Sequence, residues 1–232
     1  MFKKLLAISA VALFTLTSTV VAASAAPISA APGVPVNQAP AIVAPASVTA
    51  TEAEALQYMR EEEKLAHDVY VTLYETWGLR VFDNIAKAEQ KHADSVAYWL
   101  DYYKISDPAE GNGFGEFDDA RLQALYDDLV TQGKQSVVDA LKVGAAVEEI
   151  DILDLQERLA ETNNSALERL FENLMAGSKN HLRAFASNIK AQSGESYAPQ
   201  YMSQAAYNAI VSASAQGAGN GRWAGGRGGR RP

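Results

Sequence analysis

Six residues whose side chains commonly bind metal ions recur at positions that helical periodicity assigns to buried faces. They are Glu63, Glu89, His92, Glu148, Asp151 and His181. Acidic side chains are seldom buried without a partner, and isolated charges in a core cost several kcal/mol each. Two divalent cations would neutralise the four carboxylates, and carboxylate oxygen with imidazole nitrogen suits iron or manganese. These residues therefore predict a centre of two transition-metal ions, with iron as the first choice and manganese as the second.

The second predicted helix illustrates the pattern. Its apolar face, followed in steps of four and three residues, consists of Ile85, Glu89, His92, Val96 and Trp99. Residues at this spacing share one face of a helix. An acid and a histidine, three residues apart, are therefore predicted to lie among apolar neighbours inside the protein.

Two other long helices carry similar polar residues on their apolar faces. Glu63 is the one charged residue in the apolar stripe of the first helix, because Glu61 and Glu62 are predicted to point elsewhere. His181 interrupts the apolar stripe of the fourth long helix. His67 falls outside the stripe of the first helix, and we expect it at the surface.

The third long helix carries two acids in its stripe, Glu148 and Asp151. The neighbouring Glu149 shares a face with Lys142 and Gln156, so it is predicted to be more exposed. Glu148 is therefore preferred over Glu149 as a metal ligand. Because the phase of a helix drifts by about 20° per heptad, Glu149 stays the alternative.

Each of these observations has an ordinary explanation when it is taken alone. A glutamate in the middle of a helix usually faces solvent, and a buried histidine is more often hydrogen-bonded than bound to a metal. Metal-capable residues on the apolar faces of four helices are harder to explain in this way. Tyr70, two turns after Glu63, is either a hydrogen-bond donor behind a ligand or an ordinary core residue.

The elements that must position these residues are all predicted to be helices. The four long ones cover residues 51–78, 81–104, 135–161 and 166–192, and two shorter ones cover residues 119–133 and 201–214. The first is predicted to begin with a capping box, Thr51-x-x-Glu54, and to end at Gly78. Sustained strand alternation is absent from the sequence. The pattern predicts an all-α four-helix bundle with additional short helices.

The first 25 residues have the features of a secretory signal peptide. Lys3 and Lys4 precede an apolar run, and the segment ends in Ala23-Ser24-Ala25, which is typical of a cleavage site. The sequence therefore predicts export to a periplasmic or extracellular location. No other stretch is long and apolar enough for a membrane span, so none is expected in the mature chain.

Composition divides the remaining chain into three parts. Residues 26–50 are rich in Pro and Ala and predict a disordered spacer, residues 51–215 form the helical domain, and residues 216–232 predict a flexible Gly/Arg-rich tail. All 28 acidic residues lie in the middle part, which disfavours nucleic acid as a partner and favours cations. The chain has no cysteine, which excludes disulfides and thiolate-bound metals.

Two motifs resemble the ferritin-like di-metal carboxylate proteins, and the rubrerythrins in particular. They are Glu63-x-x-Ala66-x-x-x-Tyr70 and Glu89-x-x-His92-Ala93. The stretches ALYDDLVTQG, ALKVGAAVEEIDILDL and LMAGSKNHLRAF resemble an uncharacterised branch of that superfamily, a domain of unknown function. The resemblance covers residues 51–210. It implies an up-down four-helix bundle with a di-iron centre, in which two helices give one Glu each and two give an E-x-x-H motif.

The sequence departs from that pattern on the fourth long helix. Ser178-x-x-His181 stands where the resemblance implies a second E-x-x-H, so this motif lacks its acid. Asp151, three residues after Glu148, is the candidate replacement. The lack of cysteine also excludes the rubredoxin-type iron centre of a full rubrerythrin.

Two functions of different classes remain open at this stage. The first is an exported ferritin-like protein that holds two metal ions, with Glu89 and Glu148 as bridging ligands. It would act on dioxygen or peroxide by oxidising ferrous iron or consuming peroxide, and it could form a homodimer. The second is a metal-free helical bundle that serves as an exported binding or envelope-associated module. The spacer and the tail motivate the second function, since both are typical of tethers.

Overall fold

The structure, a computed structural model, describes residues 47–217, with side chains as far as residue 213. The predicted signal peptide, the spacer up to residue 46 and the tail from residue 218 lie outside the described residues. Export therefore stays a prediction.

Six helices account for most of the described chain. They are α1 (Ala50–Trp77), α2 (Arg80–Tyr103), α3 (Ala120–Gly133), α4 (Val137–Glu161), α5 (Ser165–Ser193) and α6 (Gln204–Gly217). Residues 47–217 contain no β-strand. The predicted fold class, an all-α helical bundle with additional short helices, is thus confirmed. Within the same residues, no helix is both long and apolar enough to cross a membrane.

The start of α1 is a correction to the sequence prediction. The capping box consists of Thr49 and Glu52, not of Thr51 and Glu54. Both pairs fit the motif. The observed pair has a further partner, since Glu52 Oε1 accepts a hydrogen bond of 2.6 Å from the Thr162 hydroxyl at the end of α4. The predicted end of α1 is confirmed, because Gly78 adopts a left-handed conformation with φ of 67°.

The four long helices form two hairpins that pack against each other. Only residues 78–79 separate α1 from α2, and only residues 162–164 separate α4 from α5. The closest packing is within each hairpin, and α1 also contacts α4 while α2 contacts α5. The long connection between the hairpins contains α3, which packs on α1 and α4. The short α6 packs on α5.

The apolar core is divided into two clusters that follow one another along the bundle. The first, which we call the aromatic cluster, contains Tyr70, Phe82 and Phe185 among its fully buried side chains. The second, the terminal cluster, contains Leu56 and Phe171. On α1, α2 and α5, the metal-capable residues lie between the stretches that belong to the two clusters. The polar residues therefore occupy one layer across the bundle.

Candidate metal centre

Five of the six predicted ligand residues converge in this polar layer. Glu63 comes from α1, Glu89 and His92 from α2, Glu148 from α4 and His181 from α5. They form two overlapping groups, in each of which the ligand atoms lie within 4.8 Å of one another. The α2-side group is Glu63, Glu89 and His92, and the α5-side group is Glu89, Glu148 and His181.

Glu89 belongs to both groups. One of its oxygens, Oε2, lies 2.7 Å from His92 Nδ1, and the other, Oε1, lies 2.6 Å from His181 Nδ1. The two imidazole rings are stacked, with their centroids 5.6 Å apart. Glu89 thus directs one oxygen to each histidine, which is the arrangement expected of a carboxylate that bridges two cations.

Each histidine also faces a second carboxylate, from the other helix of its hairpin. His92 Nδ1 lies 3.3 Å from Glu63 Oε2, and His181 Nδ1 lies 3.6 Å from Glu148 Oε2. The α1–α2 hairpin and the α4–α5 hairpin therefore contribute one glutamate and one histidine each in matching positions. The two hairpins differ at one ligand position, because α5 carries Ser178 where α2 carries Glu89.

These contacts are close, but they lack hydrogen-bond geometry. The unsatisfied buried atoms of the groups are Glu63 Oε1, Glu89 Oε1, His92 Nδ1 and His181 Nδ1. Buried polar atoms are nearly always hydrogen-bonded, so each exception needs an explanation. Nitrogen and oxygen atoms that lie close together without hydrogen-bond alignment are arranged as the ligands of a common cation would be. One cation in each group would satisfy these atoms.

The acid–base properties of the groups follow from burial and mutual charge. Burial raises the pKa of Glu63 to about 7 and that of Glu148 to about 8. Burial also acts to raise the pKa of Glu89, but the two histidines outweigh it and lower the value to about 2. Burial acts to lower the pKa of His92 and His181, and the nearby carboxylates raise the values to about 11 and about 10. Protons thus compete with cations for these atoms.

Asp151, the sixth predicted ligand, lies beside the two groups and is in neither of them. The Ser178 hydroxyl donates a short hydrogen bond to Asp151 Oδ2, whereas Oδ1 is buried without a hydrogen bond. Burial and the charge of Glu63 raise the pKa of Asp151 well above its ordinary value. Asp151 therefore lies next to Ser178, at the position of the missing acid, and its role as a ligand stays a prediction.

Glu149 corrects the sequence prediction, because it is fully buried rather than exposed. Its carboxylate accepts hydrogen bonds from the Tyr197 hydroxyl at 2.6 Å and from the backbone N–H groups of Gln200, Tyr201 and Met202. The segment that follows α5 folds over this face of α4 and covers it. The sequence periodicity of α4 alone does not indicate that another segment covers this face. Glu149 is outside both groups, as the preference for Glu148 requires.

Glu61 and Glu62 also correct the sequence prediction, which has them point away from the core, because both are buried. Glu61 accepts hydrogen bonds from the backbone N–H groups of Asp118 and Asp119 ahead of α3. Neither carboxylate oxygen of Glu62 has a hydrogen-bond partner. Burial, together with Asp154 and Asp151, raises the pKa of Glu62 well above its ordinary value. A pattern read one helix at a time misses such residues, since the neighbouring chain buries them.

Tyr70 supports one ligand of the α5-side group. Its hydroxyl donates to Glu148 Oε1 at 2.5 Å and lies 3.2 Å from the Gly144 carbonyl oxygen. The ring packs on Phe185, with the centroids 5.2 Å apart. Tyr70 is thus both a core residue and a donor that fixes a ligand. His67 is only partly exposed and is paired with Asp68, outside both groups.

A glycine makes room for the histidine of the α2-side group. A Cβ atom on Gly177 of α5 would lie 2.5 Å from His92 Cε1 and 2.7 Å from His92 Nε2. Carbon atoms do not approach each other so closely, so a side chain at this position would displace the ring. Gly177 therefore lets α5 pass close beside His92.

The chemistry of the donor set fits a pair of divalent first-row transition metals. Three carboxylates and two imidazoles supply oxygen and nitrogen ligands, the set that suits iron, manganese or zinc. Glu89 can contact both ions, while Glu63 with His92 and Glu148 with His181 can each hold one. The unsatisfied atoms described above are the structural observation that supports this fit.

Comparison with known proteins assigns the helical region to a protein family. Residues 52–214 match the family described as "Uncharacterized protein domain (DUF2202)". The uncharacterized protein MJ0754 of Methanocaldococcus jannaschii is 46% identical over 169 residues, which cover 73% of this chain and 91% of the relative. A crystal structure of hypothetical protein MJ0754 from Methanococcus jannaschii matches with a TM-score of 0.70 over 72% of this chain and 95% of that one. The described fold is therefore shared with a solved structure.

Proposed function

This chain belongs to the DUF2202 family, and we propose that it is an exported ferritin-like protein that holds two transition-metal ions in its polar layer. Iron is the first choice and manganese the second. The proposed reaction is oxidation of ferrous iron by dioxygen or by peroxide, and in the second case the ferrous iron supplies the electrons that consume the peroxide. The observation that carries the proposal is the convergence of buried nitrogen and oxygen atoms that have no hydrogen bonds.

The arrangement of the helices supports the ferritin-like part of the proposal. Two hairpins are joined by a long connection, and each contributes one glutamate and one histidine to the same layer. This agrees with a bundle in which ligands project inward from all four helices. Asp151 with Ser178 departs from the pattern, since an aspartate of α4 lies where an acid of α5 would be expected.

Bound iron or manganese would supply one-electron redox chemistry. The residues of the chain have separate tasks around such ions. Glu89 keeps the two histidines on either side of one carboxylate. Tyr70 holds Glu148 in a fixed orientation through its hydroxyl group. The aromatic cluster behind Tyr70 excludes water from that side of the layer.

Metal analysis of protein purified without chelator tests the proposal directly. We expect two ions of iron or manganese per chain, either as isolated or after anaerobic reconstitution with the metal. Replacing Glu89 with Gln should abolish most of this binding, because it removes the charge shared by both groups. The matched control is Glu157→Gln, an exposed residue of α4. Wild-type protein that takes up no metal on reconstitution would refute the proposal.

The alternative function, a metal-free exported binding or envelope-associated module, has one observation in its favour. The Ser178 hydroxyl satisfies one oxygen of Asp151, Oδ2, within the protein itself and without a cation. In this form, the histidines would be protonated and paired with the carboxylates. Thermal melting with and without a chelator separates the two functions, because a ligand that binds only the folded state raises its stability. A melting temperature that does not change on removal of bound metal favours the module.

A further inference from the structure

The two sides of the proposed centre differ in their access to solvent. A pocket of about 410 Å³ lies between α2 and α5, and His92 is part of its lining. His181 lies outside this pocket. The side chain of His92 is 18% exposed, that of His181 is 12% exposed, and those of Glu63 and Glu89 are 2% and 3% exposed. The α2-side group is therefore reached from solvent past the His92 ring.

The aromatic cluster closes the α5-side group on the side of Glu148. Glu148 is 2% exposed and is held by the Tyr70 hydroxyl, and Tyr70 itself is fully buried. Behind Tyr70, Phe82 and Phe185 pack against each other with their ring centroids 5.5 Å apart. From this side, a small molecule could reach Glu148 only by displacing closely packed rings, which is costly in a dense core.

The lining of the pocket selects the kind of molecule that can approach. It contains no carboxylate, although the chain has 28 acidic residues. Arg169 and Asn173 of α5 are exposed at the pocket, and Trp99 of α2 lies beside them. Among the interactions described for residues 47–213, none occupies the guanidinium of Arg169, the amide of Asn173 or the indole N–H of Trp99. The pocket thus offers hydrogen-bond donors and one positive charge, which favour an anion or an oxygen-rich molecule over a cation.

We infer that a small anion or a peroxide-type oxygen species reaches the centre through the α2/α5 pocket and binds on the His92 side rather than on the His181 side, which lies outside this pocket. This inference rests on the proposed function, since it concerns the same two groups. It assigns different tasks to the two positions: the α2-side group accepts the outside ligand and the α5-side group does not. Arg169 and Asn173 line the access route and do not bind the metal.

Azide, a small anion that binds ferric iron, is a suitable probe, and its absorption band with the loaded protein reports binding without any turnover. Metal content is measured first, because protein that binds no metal refutes the proposed function and this inference together. With metal bound, we expect azide to bind to the wild-type protein and to the His181→Ala variant. His92→Ala, loaded at the remaining position, should not bind azide. The opposite result for the two variants would overturn the inference alone.

Two variants at the pocket test the route without touching the predicted ligands. Asn173→Trp should fill the pocket and weaken azide binding by at least about tenfold. Its control is Glu172→Trp, which adds the same bulk at an exposed neighbour that does not line the pocket. Metal content and the melting temperature should be unchanged in both. Equal azide affinity in Asn173→Trp and the wild type, at equal metal content, would show that the ligand uses another route.

The charge of the pocket can be tested separately. Arg169→Glu should weaken azide binding by about fivefold at low ionic strength, and less in high salt, because an exposed charge acts weakly through water. Arg80→Glu makes the same charge change at the start of α2, far along the helix from His92. It should have little effect. Equal effects of the two substitutions would mean that the net charge of the protein, and not the pocket, governs binding.

Discussion

Glu148 and Glu149 are neighbours on α4, and both are buried, but their surroundings are opposite. Glu149 accepts hydrogen bonds from a tyrosine hydroxyl and from three consecutive backbone N–H groups. Glu148 has one donor, the Tyr70 hydroxyl, and its other oxygen faces His181 at 3.6 Å. A carboxylate inside a protein can be stabilised by fixed donors or by a cation. Glu149, which has fixed donors, therefore has a structural role. Glu148, which has only one donor, can still bind a metal ion.

The largest expected effect separates the two glutamates by stability. Glu149→Ala leaves the Tyr197 hydroxyl and three backbone N–H groups without their acceptor, so we expect a loss of about 3–5 kcal/mol in the free energy of unfolding. Urea denaturation measures this loss. The folded fraction should keep its metal content. Loss of metal with little loss of stability would mean that Glu149, and not Glu148, belongs to the centre.

The converse substitution should act on metal binding. Glu148→Gln keeps the size of the side chain and its bond to Tyr70 but removes the charge that faces His181. We expect metal affinity to fall by more than about 100-fold, because even residues that only support a ligand are worth about 10–100-fold. Competition with a chromogenic chelator measures the affinity. An affinity within a factor of two or three of the wild type would remove Glu148 from the ligand set.

The pH dependence of the metal-free protein should also report the polar layer. The pKa values of His92 and His181 are raised in the folded state, to about 11 and about 10, so their contribution to stability is complete below the unfolded value near 6.5. It is lost as the pH rises through the folded values. Glu63 and Glu148, raised to about 7 and about 8, lose their contribution in the same direction from about pH 4.5 upward.

Metal-free protein should therefore lose stability between pH 7 and pH 10, by up to about 1.4 kcal/mol per pH unit for each proton released on unfolding. Metal affinity should rise over the same range, because ligands bind metals in their deprotonated forms. Denaturation at several pH values, with and without metal, measures both effects. A metal-free protein whose stability is constant from pH 7 to pH 10 would contradict the charge state described for the layer.

Gly177 provides a test in which two physical effects have opposite signs. Replacing glycine with alanine inside a helix usually stabilises it by about 1 kcal/mol. At Gly177 the added methyl group would meet the His92 ring, so we expect a loss of about 1–3 kcal/mol instead, together with weaker metal binding. Ala176→Gly, at the exposed neighbour, should lower stability by about 1 kcal/mol without changing metal affinity. A stabilised Gly177→Ala variant would show that His92 can move freely.

The smallest expected effect concerns the support of Glu148. Tyr70→Phe removes one hydroxyl group and keeps the packed ring, so stability should fall by about 1 kcal/mol and metal affinity by about tenfold. Tyr58→Phe is the matched control, since it removes a hydroxyl that donates to Asp154 rather than to a residue of the two groups. Calorimetric titration with metal measures the difference. Equal affinities in the two variants would make Tyr70 a core residue only.

The helices and the polar layer could be predicted from the sequence for the same reason. A helix that buries one face repeats its apolar residues every three to four positions, so Glu89 and His92 were visible as exceptions within that repeat. The termination of α1 at Gly78 was also predictable, because glycine adopts the left-handed conformation readily. The sequence predicts the capping box two residues late, because two overlapping stretches satisfy the same motif and the tertiary contact with Thr162 favours the earlier one.

The errors concern residues that a distant part of the chain covers. Glu149 is buried by residues 197–202, and Glu61 by the segment that precedes α3. Glu62 lies near Asp154 and Asp151 of α4, and it is buried because α1 and α4 meet there. A periodic pattern describes one helix and its nearest neighbour. It carries no information about a segment, about fifty residues further along the chain, that folds back and covers the helix.

The two groups of the polar layer differ in what they join along the chain. Glu63, Glu89 and His92 lie within a single hairpin, so a metal at that group would tie α1 to α2 and little else. The group of Glu89, Glu148 and His181 spans both hairpins, and a metal there would close a loop that includes the whole connection with α3. Cross-links stabilise most when they close long loops, because they remove the most freedom from the unfolded chain. In a chain without cysteine, the metal at this group would take the place of a disulfide bridge.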